Sequence, residues 1–328
     1  MDKSTRKKKV FNLFAQNLKW FLEEPSLSFK DSESGSEIEP EYICPICFND
    51  FYRKDLNSNV ENHLTLEDVP PKKLGGNVKT LTCKDCNNKA GHNLDVKLKD
   101  WLNNKELHSF FPNSKASARY EIDGHQVNGS FRVDNDGGVI IDLHTNRSNP
   151  EHVKEFNKRL KPFGATKFTF QPLQKQIDDR EAEIALLRIA YLEAFSLCGY
   201  GFMLNGYLGK IRDQIREPKN NILPKVLWLN YEFDDELNGL NIIREPKELR
   251  CFLIVFNIKT ESRKYKCAIA LPGPTAPGLE IYENIEKLLC QDSSDNVQIK
   301  IEHIDTTDNL RTREYTFDTY KWWRKFCE

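Results

Sequence analysis

The sequence predicts an α+β protein in two parts, a small cysteine-bearing ββα module followed by a larger α+β domain. Three observations carry that expectation. Two Cys-x-x-Cys pairs, Cys44/Cys47 and Cys83/Cys86, flank a polar segment that contains Gly75-Gly76. From Ala118 to His144, short runs alternate apolar and polar residues between Gly-containing turns, which signals antiparallel hairpins. From Asp178 to Phe195, apolar residues occupy nearly every helical face, the pattern of a helix buried in a sizeable core.

The elements follow in order. Val10, Leu13, Phe14, Leu18, Phe21 and Leu22 recur at helical spacing, so a helix is predicted over Val10 to Glu23, with the Lys/Arg run before it as its solvated start. Ser26 to Pro40 is polar, acidic and poor in aromatics, and reads as a linker. Residues 1–40 are therefore an N-terminal helix and linker, 41–105 the cysteine module, and 106–328 an α+β domain for target recognition or regulation. Within the module, Leu94, Leu98, Trp101 and Leu102 place a helix after the second cysteine pair. Beyond the hairpins, Cys198 to Gly201 breaks the long helix, and a second helix is expected in Phe202 to Arg216, stopped by Pro218. Further strand-like runs are Lys225 to Asn230, Leu249 to Ile258, Lys264 to Leu271 and Val297 to Ile304, and the aromatic, basic stretch Tyr320 to Phe326 is expected to pack as a terminal helix.

The formal net charge of −1 on 328 residues gives no global argument for a polyanionic partner, so any such argument must be local. No apolar run is long enough to span a bilayer, and the basic N-terminus leads into an amphipathic stretch, unlike a secretory signal. Nine cysteines, five of them scattered, suit a reducing compartment, so a cytoplasmic location without membrane association is expected.

Two Cys-x-x-Cys pairs together supply four thiolates, the ligand set of a tetrahedral zinc site with no open coordination position. Such a zinc is structural. The gap from Cys47 to Cys83 exceeds the 15–20 residues, roughly, of a plain zinc ribbon, so it holds something more. It contains Glu67-Asp68, Pro70-Pro71 and Gly75-Gly76, and the second pair is followed directly by Asn87 and then Gly91.

That ordered string resembles the HNH (ββα-metal) endonuclease family in its zinc-stapled, four-cysteine version, over about residues 44–95. The resemblance implies a treble-clef-like ββα module that hydrolyses phosphodiester bonds in nucleic acid with a divalent cation, Mg²⁺ or Mn²⁺. It places Glu67 and Asn87 as ligands of that cation and makes Asp68, with them, a catalytic residue. It implies DNA as partner, with RNA and a further protein or oligomer partner left open, and a role like that of bacterial host-defence (phage defence) or mobile-element nucleases. The chain departs from the pattern at Asp68, where most of the family has His, and at Thr80, where the family often has Asn. An aspartate near its ordinary pKa of about 4 is a weaker base than imidazole. The alternative is therefore a zinc-stapled module that binds nucleic acid or another partner without cleaving.

Overall fold

The computed structural model describes residues 2–24, 39–160, 167–173, 177–224, 228–229, 233–289 and 298–327. Most of the expected linker, and of the strand expected at Lys225 to Asn230, lies outside the described residues. The chain forms helices and antiparallel sheets, an α+β fold. It divides into two compact units, Met1–Leu98 with Asp179–Ile258 and Tyr265–Glu328, and Lys99–Asp178 with Lys259–Lys264. The units are interleaved along the chain, whereas the sequence reading divided it consecutively. The cysteine module belongs to one unit with the long apolar helix.

In the first unit, helix α1 spans Lys3–Leu22. It begins earlier than the apolar periodicity suggests because Asp2 caps it, accepting the Thr5 amide at 2.8 Å. Phe11, Phe14, Leu18 and Phe21 are fully buried on its inner face. Strands β1 (Tyr42–Ile43) and β2 (Asp50–Phe51) form the first cysteine turn, and β3 (Leu64–Val69) pairs antiparallel with β4 (Asn77–Cys83). Helix α2 (Lys84–Ala90) runs through one π turn, Gly91–Asp95, into α3 (Val96–His108). The order of two strands and a helix is that of a treble-clef-like ββα module.

The second unit carries a four-stranded antiparallel sheet in the order β7-β6-β5-β8, from β5 (Lys115–Ile122), β6 (His125–Val133), β7 (Val139–Leu143) and β8 (Thr169–Pro172). The β5–β6 turn uses Asp123 and Gly124, both at positive φ, as a two-residue hairpin requires. Helix α4 (Pro150–Arg159) sets Phe156 against Tyr120, Val127 and Phe131, which makes this unit's core.

Returning to the first unit, α5 (Asp179–Cys198) is buried along most of its length, as its composition predicts. Gly199 ends it at φ 59°, where a Cβ would stand 2.3 Å from Asn17 Oδ1, an atom that accepts the Tyr200 amide. The helix expected within Phe202 to Arg216 is α7 (Leu208–Arg216), and the helical path from α6 (Tyr200–Met203) is broken before it. Asn205 interrupts it, giving its Nδ2 to Pro272 O and accepting the Tyr207 amide on Oδ1. Strands β9 (Trp228–Leu229), β10 (Gly239–Glu245), β11 (Cys251–Lys259), β12 (Lys264–Pro272) and β13 (Lys300–His303) form a sheet in the order β13-β10-β11-β12-β9. The sequence reading did not identify β10. Its middle is buried on both faces, so it shows no alternation, and Asn241 interrupts the apolar run. That Asn is satisfied internally, donating to Leu237 O and Leu253 O. Helices α8 (Ile281–Leu289) and α9 (Arg313–Cys327) complete the unit. No helix among the described residues is long and apolar enough to cross a membrane.

Candidate metal centre and the ion cluster beside it

The four cysteines converge. Cys44 and Cys47 lie on the turn between β1 and β2, Cys83 ends β4, and Cys86 sits in the first turn of α2. The first turn closes because Phe48 adopts φ 64° while its amide donates to Cys44 O at 2.9 Å. All four Sγ atoms lie within 4.8 Å of one another. The Cys47–Cys83 separation is 3.8 Å. A disulfide would bring sulfurs to about 2.05 Å, whereas a tetrahedron with Zn–S bonds near 2.3 Å puts them roughly 3.8 Å apart. The geometry therefore fits one metal ion held by four thiolates and is compatible with structural zinc. Burial pushes the Cys44 thiol well up, while hydrogen bonds from Cys44 and the other thiols hold Cys83 down. A cation among them removes the conflict by favouring the deprotonated form at every sulfur.

The hairpin between the pairs is shaped by the residues singled out in the sequence. Val69-Pro70 is cis, and Gly76 passes so close to Pro70 O that a Cβ would meet it at 1.6 Å, so only glycine fits there. The register shifts between Glu67, which pairs with Thr80, and Asp68, which pairs with Val78. Lys79 is the extra residue of this β-bulge, and its ammonium forms an ion pair with Glu193 of α5.

Each expected site residue has definite partners. Glu67 is 3% exposed. One carboxylate oxygen accepts the Arg188 guanidinium at 2.7 Å, and the other accepts the Thr82 hydroxyl at 2.6 Å. Asn87 is half-buried, and its Nδ2 donates to Thr65 Oγ1 at 2.9 Å and Leu66 O at 3.3 Å, which pins α2 to β3. Thr65 Oγ1 in turn donates to Thr82 O. Asp68, also half-buried, does not share these partners. Burial and the neighbouring Glu67 charge raise its pKa, against Arg6, Lys72 and Lys3. The hairpin thus sends Glu67 to α5, whereas Asp68 stands among cations of α1 and of the turn after Pro71.

Two residues outside the motif dominate the electrostatics. Arg188, 1% exposed on α5, bridges Glu67 and, at 3.2 Å, Asp95 in the π turn. Burial raises the Asp95 carboxyl to about 6, opposed by Arg188 and reinforced by Glu67. The sequence reading gave neither residue a role at the site. A signal was present, since a lone Arg in an apolar helix must find carboxylates or carry a large desolvation cost. The π turn that delivers Asp95 has no sequence signature of its own; such turns cluster at functional positions. Close by, Tyr191 donates to Pro45 O and Tyr200 to Ile43 O, tying α5 and α6 to the first cysteine turn. No family model, curated protein or solved structure matches the chain.

Three outcomes follow from this geometry. Zinc measured on the purified chain is expected at one per molecule, and Cys83→Ser should lower both that stoichiometry and the melting temperature; unchanged zinc would mean the four thiols are not one site. Arg188→Met should cost about 3–5 kcal/mol by stranding Glu67, and adding Glu67→Leu should recover part of that loss. Strict additivity in urea unfolding would show that the pair does not interact. The third concerns pH. A carboxyl whose folded pKa is about 6 holds a proton that the unfolded chain, near 3.9, has released. Its contribution is fully present below pH 4 or so and is lost as pH rises through about 6, a change of about 3 kcal/mol. Asp95→Asn should therefore gain stability relative to wild type as pH rises from about 4 to about 6, the window set by those two values, so the difference at pH 7.5 should exceed that at pH 4. An equal difference at both pH values would remove the assignment.

Proposed function

We propose that the protein is a zinc-braced nucleic-acid-binding protein that uses an HNH-like ββα frame as a docking scaffold, without a catalytic cation. The observation that carries this reading is the pairing of Glu67 with Arg188. In the resembling family the acidic hairpin position faces a divalent cation; here both Glu67 oxygens are engaged, one by a permanently charged guanidinium. Asp68 in place of His removes the ordinary base at the next position. What the frame retains is positional: the four cysteines, the Asn87 bond to β3, and the turn closed by Gly76. Nucleic acid is the favoured partner because phosphate contacts need only fixed cations, and the module carries them in excess around the hairpin.

A second reading, phosphodiester hydrolysis with Mg²⁺ or Mn²⁺ at Glu67 and Asn87, has one observation in its favour. The Asp68 carboxyl is raised from its ordinary value by burial and by Glu67, in the direction that makes a carboxylate a better base. The discriminating experiment follows binding and cleavage together. Wild type should shift fluorescently labelled duplex DNA in anisotropy yet leave supercoiled plasmid intact in Mg²⁺ or Mn²⁺. Asp68→Ala should bind within about twofold of wild type, since it removes no phosphate contact. Metal-dependent nicking abolished by Asp68→Ala would select hydrolysis instead.

A further inference from the structure

The start of α1 violates the ordinary electrostatics of a helix. Helix N-termini carry partial positive charge and favour acidic residues in the first turn. Here the first turn has no acidic residue, and after the Asp2 cap come Lys3, Arg6, Lys7, Lys8 and Lys9. Lys3 and Lys7, four apart, are like charges that meet on one helix face, an unfavourable pair. Burial and Lys3 together lower the Lys7 pKa, which records the same strain. Lys3, Arg6 and Lys7 continue the face that further along carries Phe14, Leu18 and Phe21, so the apolar stripe turns into a basic one over the module.

Contacts with the rest of the unit widen this end into a surface. Lys7 Nζ donates to Leu56 O at 2.7 Å, and the Arg53 guanidinium stands over the Phe11 ring, which brings the turn at 53–56 alongside. Arg6 donates to Val78 O of β4, and Asp68 is influenced by Arg6, Lys72 and Lys3, which brings in the turn after Pro71. The exposed cations of the three segments are Lys3, Lys8, Lys9, Arg53, Lys54, Lys72 and Lys73. Against them stand Asp2, Asp55, Asp68 and Glu41; Asp2 is spent on the helix cap, the buried Asp55 on the Tyr52 amide and Glu41 on Arg53. On a chain of net charge −1, this concentration of positive charge is a local departure from the overall balance.

We propose that this surface, formed by the first turns of α1 and the segments at 53–54 and 72–73, is where the protein takes the phosphate backbone of duplex DNA. The assignment rests on the nucleic-acid-binding reading above and adds to it a location. It places the contact on the α1 side of the hairpin, away from the Glu67–Arg188 pair. Phosphates there relieve the repulsion between Lys3 and Lys7 and satisfy the positive end of the helix. No base contact is implied, so the surface should bind with little sequence preference and strong salt dependence.

The test uses the full chain and a labelled 20-bp duplex across a salt series, comparing wild type with Lys3→Gln/Lys54→Gln/Lys72→Gln. Losing three phosphate contacts should weaken binding at least tenfold, on the order of magnitude such contacts carry, and reduce the slope of log K against log salt by about 3. A control triple on other elements, Lys210→Gln/Lys247→Gln/Lys287→Gln, should change neither quantity. A second patch variant, Lys8→Glu/Lys9→Glu/Lys73→Glu, uses exposed side chains and should reproduce the loss with unchanged melting temperature and zinc content. If wild type binds DNA and both patch variants bind equally well, the location is overturned while the binding reading stands. If wild type does not bind, both fall. Binding to phosphatidylserine vesicles without binding to the duplex would overturn nucleic acid as the occupant.

Discussion

A guanidinium buried in an apolar helix is the interaction on which the rest of this unit depends. Arg188 lies among Leu187, Ile189 and Leu192, all essentially inaccessible to water. Taking such a cation out of water costs several kcal/mol, by usual estimates, unless carboxylates offset it at hydrogen-bonding distance. Glu67 comes from β3 and Asp95 from the π turn, so one side chain ties three elements together. Hydrophobic burial is non-directional and would let α5 slide or rotate against the module. The ion cluster permits one register, because every displacement strands a charge. That argues for specificity as its main contribution rather than net stability.

The metal centre and the ion cluster hold complementary parts of the same frame. Four thiolates join the first cysteine turn to the end of β4 and the start of α2, and they do nothing for the far end of the hairpin. Asn87 extends the hold one residue further by bonding to Thr65. Beyond that, the Thr65–Thr82–Glu67–Arg188 hydrogen bonds run to α5, and the Lys79–Glu193 ion pair fixes the bulge. Tyr191 and Tyr200 close the circuit onto the backbone of the first cysteine turn. A chain of polar contacts thus runs from the thiolates through the hairpin to α5 and back.

What was legible in the sequence follows from where the determining forces are local. The cysteine pairs, the β5–β6 hairpin at Asp123-Gly124 and the α5 helix depend on spacing, turn residues and periodicity, all read within a few residues. The Lys/Arg run read as the solvated start of α1 does lie in its first turns, but its exact first residue was not legible from apolar periodicity, because the Asp2 cap sets it. Strand β10 was missed because burial on both faces erases alternation. The split of α6 from α7 depends on Asn205 reaching Pro272, far along the chain. At the site, the motif named Glu67, Asp68 and Asn87 as residues of interest but could not say what they face. That information lies in Arg188 and Asp95, which become neighbours only through the packing of α5.

The charge at Arg188 also bounds the chemistry open to the hairpin. Two unit charges 4 Å apart interact by about 4 kcal/mol at an effective dielectric of 20, so a divalent cation that close would meet roughly twice that repulsion. A cation could therefore reach Glu67 only by displacing Arg188, which would leave the guanidinium buried beside Asp95 alone. Asp95 would then hold the guanidinium by itself, and its carboxyl, raised by burial to about 6, gives up that charge as pH falls below neutrality. Exchange of guanidinium for metal would thus weaken the contact that registers α5 on the module. Residues that fix positions serve binding and hydrolysis alike, whereas a base and an accessible cation serve hydrolysis only.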